Sequence, residues 1–156
     1  MQNRYRKNVG VVVFRKGKVL LCARADSEDF QWQFPQGGIE SGEQTHLAAM
    51  RELKEETSVV SVEFIKGLDN PLRYDFPLEI KQKLQKKGIK SDGQEMYWSL
   101  LFFYGSDEEI NLNTQEPEFK AYEWVEPIEA VNRIVDFKKE VYCKAVAEFE
   151  PVIKNY

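Results

Sequence analysis

Three glutamates, Glu52, Glu55 and Glu56, fall at i, i+3 and i+4 in a stretch that reads as a helix. At 3.6 residues per turn they share an arc about 100° wide. Leu47, Met50, Leu53 and Thr57 form the opposite face. Like charges at this spacing repel by a few tenths of a kcal/mol per pair when exposed. A cation beside them removes that cost, and clustered carboxylate oxygens are the hard ligands that Mg²⁺ or Mn²⁺ takes. The plain alternative is a solvated acidic face, because glutamate is mostly exposed. His46, the only histidine, has no second titratable group at ligand spacing and reads as a surface residue. Cys22 and Cys143 lack metal-ligand spacing and read as small core hydrophobes, and Trp32, Trp98 and Trp124 as core or pocket-wall residues.

The surrounding spacing separates the two readings. Gly37 is followed after five residues by Glu43, and seven more lead to Arg51-Glu52-Leu53. One residue later comes Glu55-Glu56, and two further on the aliphatic Val59. This resembles the Nudix box, the signature of hydrolases acting on a nucleoside diphosphate linked to another group. Eight of nine specified positions of that signature, spanning 37–59, are met. At average residue frequencies chance agreement is on the order of one in a hundred million per start position. The departure is Ser58, where the family has glycine. A left-handed backbone there costs serine about 1 kcal/mol and bears on the turn, not on the carboxylates.

The resemblance implies an α/β fold, a Nudix-type α/β/α sandwich with a mixed, largely antiparallel sheet, spanning 1–156 as one domain. It implies divalent metal, Mg²⁺ or Mn²⁺, on Glu52, Glu55 and Glu56, with a main-chain carbonyl beside Gly37 completing the shell. Glu43 and Arg51 become a pair that orients loop and helix. The carboxylate that takes the proton from the attacking water is expected to be Glu52, with Glu55 second. Motifs outside the box extend the likeness to nearly the whole chain. Tyr5-Arg6, Asn8-Val9-Gly10, the run from Trp32 to Gly38, Gly93-Gln94, Pro117-Glu118-Phe119 and Phe137-Lys138 are similar to bacterial RNA pyrophosphohydrolases and diadenosine polyphosphate hydrolases. By that similarity Glu118 is a further metal ligand or catalytic carboxylate, and Arg6, Gln94, Phe137 and Lys138 hold the first nucleotides. Tyr74, Lys81 and Lys83 look more like residues that meet the phosphate chain in diadenosine tetraphosphate hydrolases. Relatives often carry two arginines after the second strand, whereas here Arg24 is followed by Ala25.

The implied reaction is metal-dependent hydrolysis of a pyrophosphate bond, turning 5′-triphosphorylated or 5′-diphosphorylated RNA into 5′-monophosphorylated RNA. The alternatives are a hydrolase giving ATP and AMP from diadenosine tetraphosphate, a hydrolase of another nucleotide, and a silent nucleotide-binding module. A silent module predicts eroded ligands, and the three box glutamates and Arg51 are intact.

The elements that must hold these residues are legible in outline. Residues 9–14 and 19–23 form a hairpin around a tight turn at 15–18, then a polar loop runs over 24–31. A short strand is expected at 32–34 and a chain-breaking cluster at 35–38. Ser41 and Gln44 have capping-box spacing, which places a helix over 41–57. Strands follow at 59–65, 72–76, 95–104 and 119–125, and the one at 95–104 is apolar on both faces and therefore central. Residues 77–93 read as a lysine-rich loop, with room for a short helix. Helical spacing resumes at Pro127, through Ile128, Val131, Ile134 and Val135, and a last helix is expected to end near Pro151.

The chain has 156 residues, 42% hydrophobic and 31% charged, which suits one globular domain. No apolar run approaches a membrane span, and the amino-terminal stretch lacks signal-peptide character. A net charge of −4 disfavours binding nucleic acid by charge alone, and neither DNA nor a membrane is expected as a partner. Two cysteines suit a reducing cytoplasm. Protein partners stay open.

Overall fold

The computed structural model describes residues 4–156; residues 1–3 of the amino-terminal stretch lie outside the described residues. The strands are β1 (Tyr5–Arg15), β2 (Lys18–Arg24), β3 (Trp32–Gln33), β4 (Gln36–Gly38), β5 (Val62–Gly67), β6 (Leu72–Asp75), β7 (Gly93–Phe103) and β8 (Phe119–Val125). The helices are α1 (Thr45–Thr57), α2 (Leu78–Lys86), α3 (Pro127–Asn132) and α4 (Asp136–Asn155).

All eight strands join one mixed sheet with the spine β3-β2-β1-β7-β5, while β4 pairs with β1, β6 with β7 and β8 with β2. The β1–β7 pair is parallel and the others are antiparallel. Alternation along β1 divides the core. Val9, Val11 and Val13 pack with Ala48, Ala49 and Leu53 of α1. Val12 and Phe14 belong to the opposite layer, with Tyr142, Ala145 and Phe149 of α4. Each side chain points to the face opposite its neighbour, so a near-continuous valine run serves both layers. The central place expected for the strand at 95–104 is met by β7, bonded to β1, β5 and β6.

Several local readings are corrected. Helix α1 begins at Thr45, and its cap residue Gln44 makes no side-chain capping bond. The expected capping box does not form because Gly42 turns the chain at φ 78° and Glu43 is drawn to Arg51. Leu47, expected on the core face, is 49% exposed. The helix seats itself on the sheet through the small Ala48 and Ala49, which rolls Leu47 outward and Glu56 inward. Cys143 is exposed, not core. Ile128 is likewise exposed, and α3 ends at Asn132. Helix α4 passes through Pro151 to Asn155, because Ile153 anchors its last turn in the core. Residues 36–38, read as a breaker, pair as β4. Among the described residues no helix is long and apolar enough to cross a membrane.

Candidate active site

Helix α1 and strand β4 build the site together. Arg51 binds them: its Nε donates to Glu43 Oε2 at 2.8 Å, and its Nη2 to Glu43 Oε1 at 2.9 Å and to the Gly38 carbonyl at 2.8 Å. Glu43 also accepts the Glu40 backbone N–H at 3.0 Å. These bonds hold the Glu43 carboxyl down at about 2, with the Arg51 contact the largest cause. One guanidinium thus pins the loop before α1 to the helix itself. Glu43 and Arg51 therefore form an ion pair across that junction.

Glu52, Glu55, Glu56 and Glu118 line one cavity of about 450 Å³, joined by Gln115 and Glu116. Glu56 is 7% exposed, and its Oε2 is buried without a hydrogen-bond partner. Burial, with the charges of Glu52 and Glu118, pushes its carboxyl up to about 9. Burial also raises Glu52, against the bond its Oε1 accepts from Arg51 Nη1 at 2.9 Å. Glu55 is more exposed and lies 3.4 Å from the same Nη1. Gly37 is needed where it stands: an added Cβ would sit 2.0 Å from Glu52 Cδ. Ser58 takes φ 69° in place of the box glycine, and its Oγ donates to the Asn111 carbonyl at 2.9 Å.

Five carboxylates lining one cavity, one with an unpartnered buried oxygen, fit a hard divalent cation. Among the described residues no three such side chains are already arranged to hold an ion. Arg51 Nη1 instead holds Glu52 and Glu55.

A second cluster lies at the ends of β6, β7 and α4. The Tyr74 hydroxyl donates to Gln94 Oε1. The Phe137 ring stands 5.8 Å from that of Tyr74. Lys138 is 8% exposed, with its Nζ 6.0 Å from the Tyr74 ring centroid and 5.8 Å from that of Phe137. Burial, then the nearby Arg24 charge, lowers its ammonium to about 8. Arg6 is exposed and lies opposite Gln94 in the β1–β7 register. Tyr74, Gln94, Phe137 and Lys138 are therefore gathered in one place, with Arg6 alongside. Lys81 instead pairs with Asp92 at 3.1 Å, and Lys83 stands exposed on α2.

Three features were missed from sequence. Gln115 and Glu116 share the acidic cavity, and only their nearness to Glu118 in the chain could have flagged them. Arg24 is clamped by Asp26 at 2.7 Å and donates to Gln33 Oε1 at 3.2 Å. Lys120, two residues after Glu118, donates to the carbonyls of Ser27, Glu28 and Asp29, fastening the 25–31 loop beside the cavity. Contacts across about 90 positions leave no local pattern.

A model described as the NUDIX domain matches residues 4–145. The chain is 43% identical over 151 residues to the chloroplastic Nudix hydrolase 27 of Arabidopsis thaliana, covering 94% of itself and 66% of that protein, just under two thirds. It is 45% identical to an RNA pyrophosphohydrolase of Dinoroseobacter shibae, covering 88% of itself and 87% of that protein. Among solved structures, a C. elegans Ap4A hydrolase complex superposes with a TM-score of 0.68 at 19% identity, over 97% of this chain and 99% of that one. That likeness carries the fold alone.

Proposed function

The chain belongs to the NUDIX domain family, and on that premise we propose that it converts 5′-triphosphorylated RNA to 5′-monophosphorylated RNA with Mg²⁺ or Mn²⁺. The observation that carries the hydrolase reading is the buried, unpartnered Glu56 oxygen in a carboxylate-lined cavity. An acidic wall repels a phosphate chain unless cations stand between them. RNA is favoured as substrate by the identity to a protein named for that activity, which runs over most of both chains.

Glu52, Glu55, Glu56 and Glu118 are the residues that would hold the cation. Bound there, a divalent ion would neutralise phosphate charge and lower the pKa of water. Glu52 takes the proton of the attacking water, because burial raises its basicity while Arg51 holds one of its oxygens fixed. Glu43 and Arg51 position Glu52 and do not touch substrate. Among the described residues no carboxylate pairs with the buried Lys138, and it neutralises an oxygen of the incoming anion. Phe137 offers a ring to a base, and the Tyr74–Gln94 pair fixes the polar edge beside it. Arg6 guards the exposed side of that edge. An RNA substrate and the free thiols of Cys22 and Cys143 both suit a cytoplasmic enzyme.

The test is a product assay with Mg²⁺ or Mn²⁺ on 5′-triphosphorylated RNA and, in parallel, diadenosine tetraphosphate, read by mass spectrometry. Monophosphorylated RNA is the expected main product. ATP and AMP from the dinucleotide, with little RNA product, would overturn the assignment.

A further inference from the structure

Helix α2 presents the acidic helix in reverse. Lys83, Lys86 and Lys87 fall at i, i+3 and i+4, the spacing of the three box glutamates with the sign inverted. They repel one another by the same few tenths of a kcal/mol per pair. Among the described residues, neither these three nor Lys90 in the following turn has an ion-pair partner, whereas Lys81 is held by Asp92. Glu79 is the only acid in α2, and the helix buries no residue of its own. A cation in the last turn suits the helix dipole, which accounts for Lys83 and Lys86 taken singly. It does not account for Lys90 or for the missing carboxylates. The positive face also has a direction. Helix α2 leaves the sheet just after Tyr74 and returns to it just before Gln94, and the charge of Lys87 reaches Asp26, the partner of Arg24.

We infer that this face of α2 docks the phosphodiester backbone of single-stranded RNA downstream of the 5′ end. The inference rests on the reading of an RNA end as substrate. Flexible lysines on an exposed helix track phosphates without reading sequence, and their contribution falls with salt. A dinucleotide carries no phosphodiester backbone beyond its first linkage for Lys86, Lys87 and Lys90 to track. The face therefore separates long substrates from short ones at a single catalytic cavity.

The test is the triple variant Lys86→Gln, Lys87→Gln, Lys90→Gln. Lys83 stays in place because it belongs to the expected phosphate-chain residues. Turnover is measured on a 5′-triphosphorylated RNA of about 20 nucleotides and on a 5′-triphosphorylated dinucleotide, across a salt series. The expected result is a fall of about tenfold in kcat/KM on the long RNA, with a log–log salt slope shallower by roughly 2. Turnover of the dinucleotide and the melting temperature stay as in the unsubstituted chain. An equal loss on both lengths would overturn the inference. So would unchanged turnover and salt slope on the long RNA, which would leave a protein as the occupant of this face. An unsubstituted chain that cleaves diadenosine tetraphosphate but neither RNA overturns the substrate reading first, and this inference with it.

Discussion

Glu56 is buried by the folding of α1 onto the sheet while one of its oxygens is left without a donor. Its carboxyl lies near 9 in the fold and near 4.5 when exposed. The folded state therefore prefers the neutral form. The group's contribution to stability is full below pH 4.5 and is lost as pH rises toward 9. Replacing Glu56 by Gln removes that penalty along with a proposed metal ligand. The variant should melt higher than the unsubstituted chain at pH 8 in chelator, yet lose at least a hundredfold in turnover. Calorimetry and the product assay read the two effects separately, and retained turnover would exclude Glu56 as a ligand. Lys138 has the opposite sign. Its ammonium is lowered from 10.5 to about 8, so its contribution is full above pH 10.5 and is lost as pH falls through 8. Near pH 7 the buried cation costs on the order of 2–3 kcal/mol until an anion meets it. Lys138→Met should raise the melting temperature by roughly 5 °C and raise KM by about tenfold. It should also remove a rise in KM above about pH 8 in the unsubstituted chain. A KM that stays put would take Lys138 out of substrate binding.

At the scale of elements, the junction of β4 and α1 decides whether the carboxylates face one cavity. Gly37→Ala drives a Cβ to within 2.0 Å of Glu52 Cδ. Overpacking of this kind costs about 1–3 kcal/mol, and a displaced carboxylate costs roughly a hundredfold in rate. Both losses should appear together, in thermal melts and in turnover. Ser58→Gly should do little. Relief of the left-handed backbone gives about 1 kcal/mol, and loss of the Oγ bond to Asn111 takes about as much away. A melting shift above a few degrees in either direction would contradict that balance. The glutamate cluster and the central strand were legible because their signals are local: a fixed spacing and an apolar run. The roll of α1 was not, because helix periodicity ranks Leu47 above Ala48 and Ala49 for burial. Close approach to a sheet rewards the small residues instead. The span of β4 was hidden for a related reason, since two of its three residues are glycines and its pairing with β1 is set from outside.

Across the whole molecule, charge is sorted by region: five glutamates on one cavity, a helix whose lysines beyond Lys81 have no ion-pair partner among the described residues, and a net charge of only −4. A divalent cation should therefore raise the melting temperature of the unsubstituted chain by several degrees at millimolar concentration and that of Glu56→Gln far less. Equal shifts in both would place the cation elsewhere. The gathering of Tyr74, Gln94, Phe137 and Lys138 comes from segments distant in the chain and leaves no local pattern; likeness to a family had set Tyr74 apart, with Lys81 and Lys83. The β1–β7 pairing has a kinetic side. It joins residues 88 positions apart, in parallel, at the centre of the sheet. Closing such a loop costs about 4 kcal/mol of chain entropy before any contact returns it. During synthesis the first strand and its hairpin wait, apolar and half-made, until residues 93–103 emerge. A protein that binds exposed hydrophobic strands would meet this chain at that stage, and the cluster around Phe137 and Lys138 would be among the last features to form.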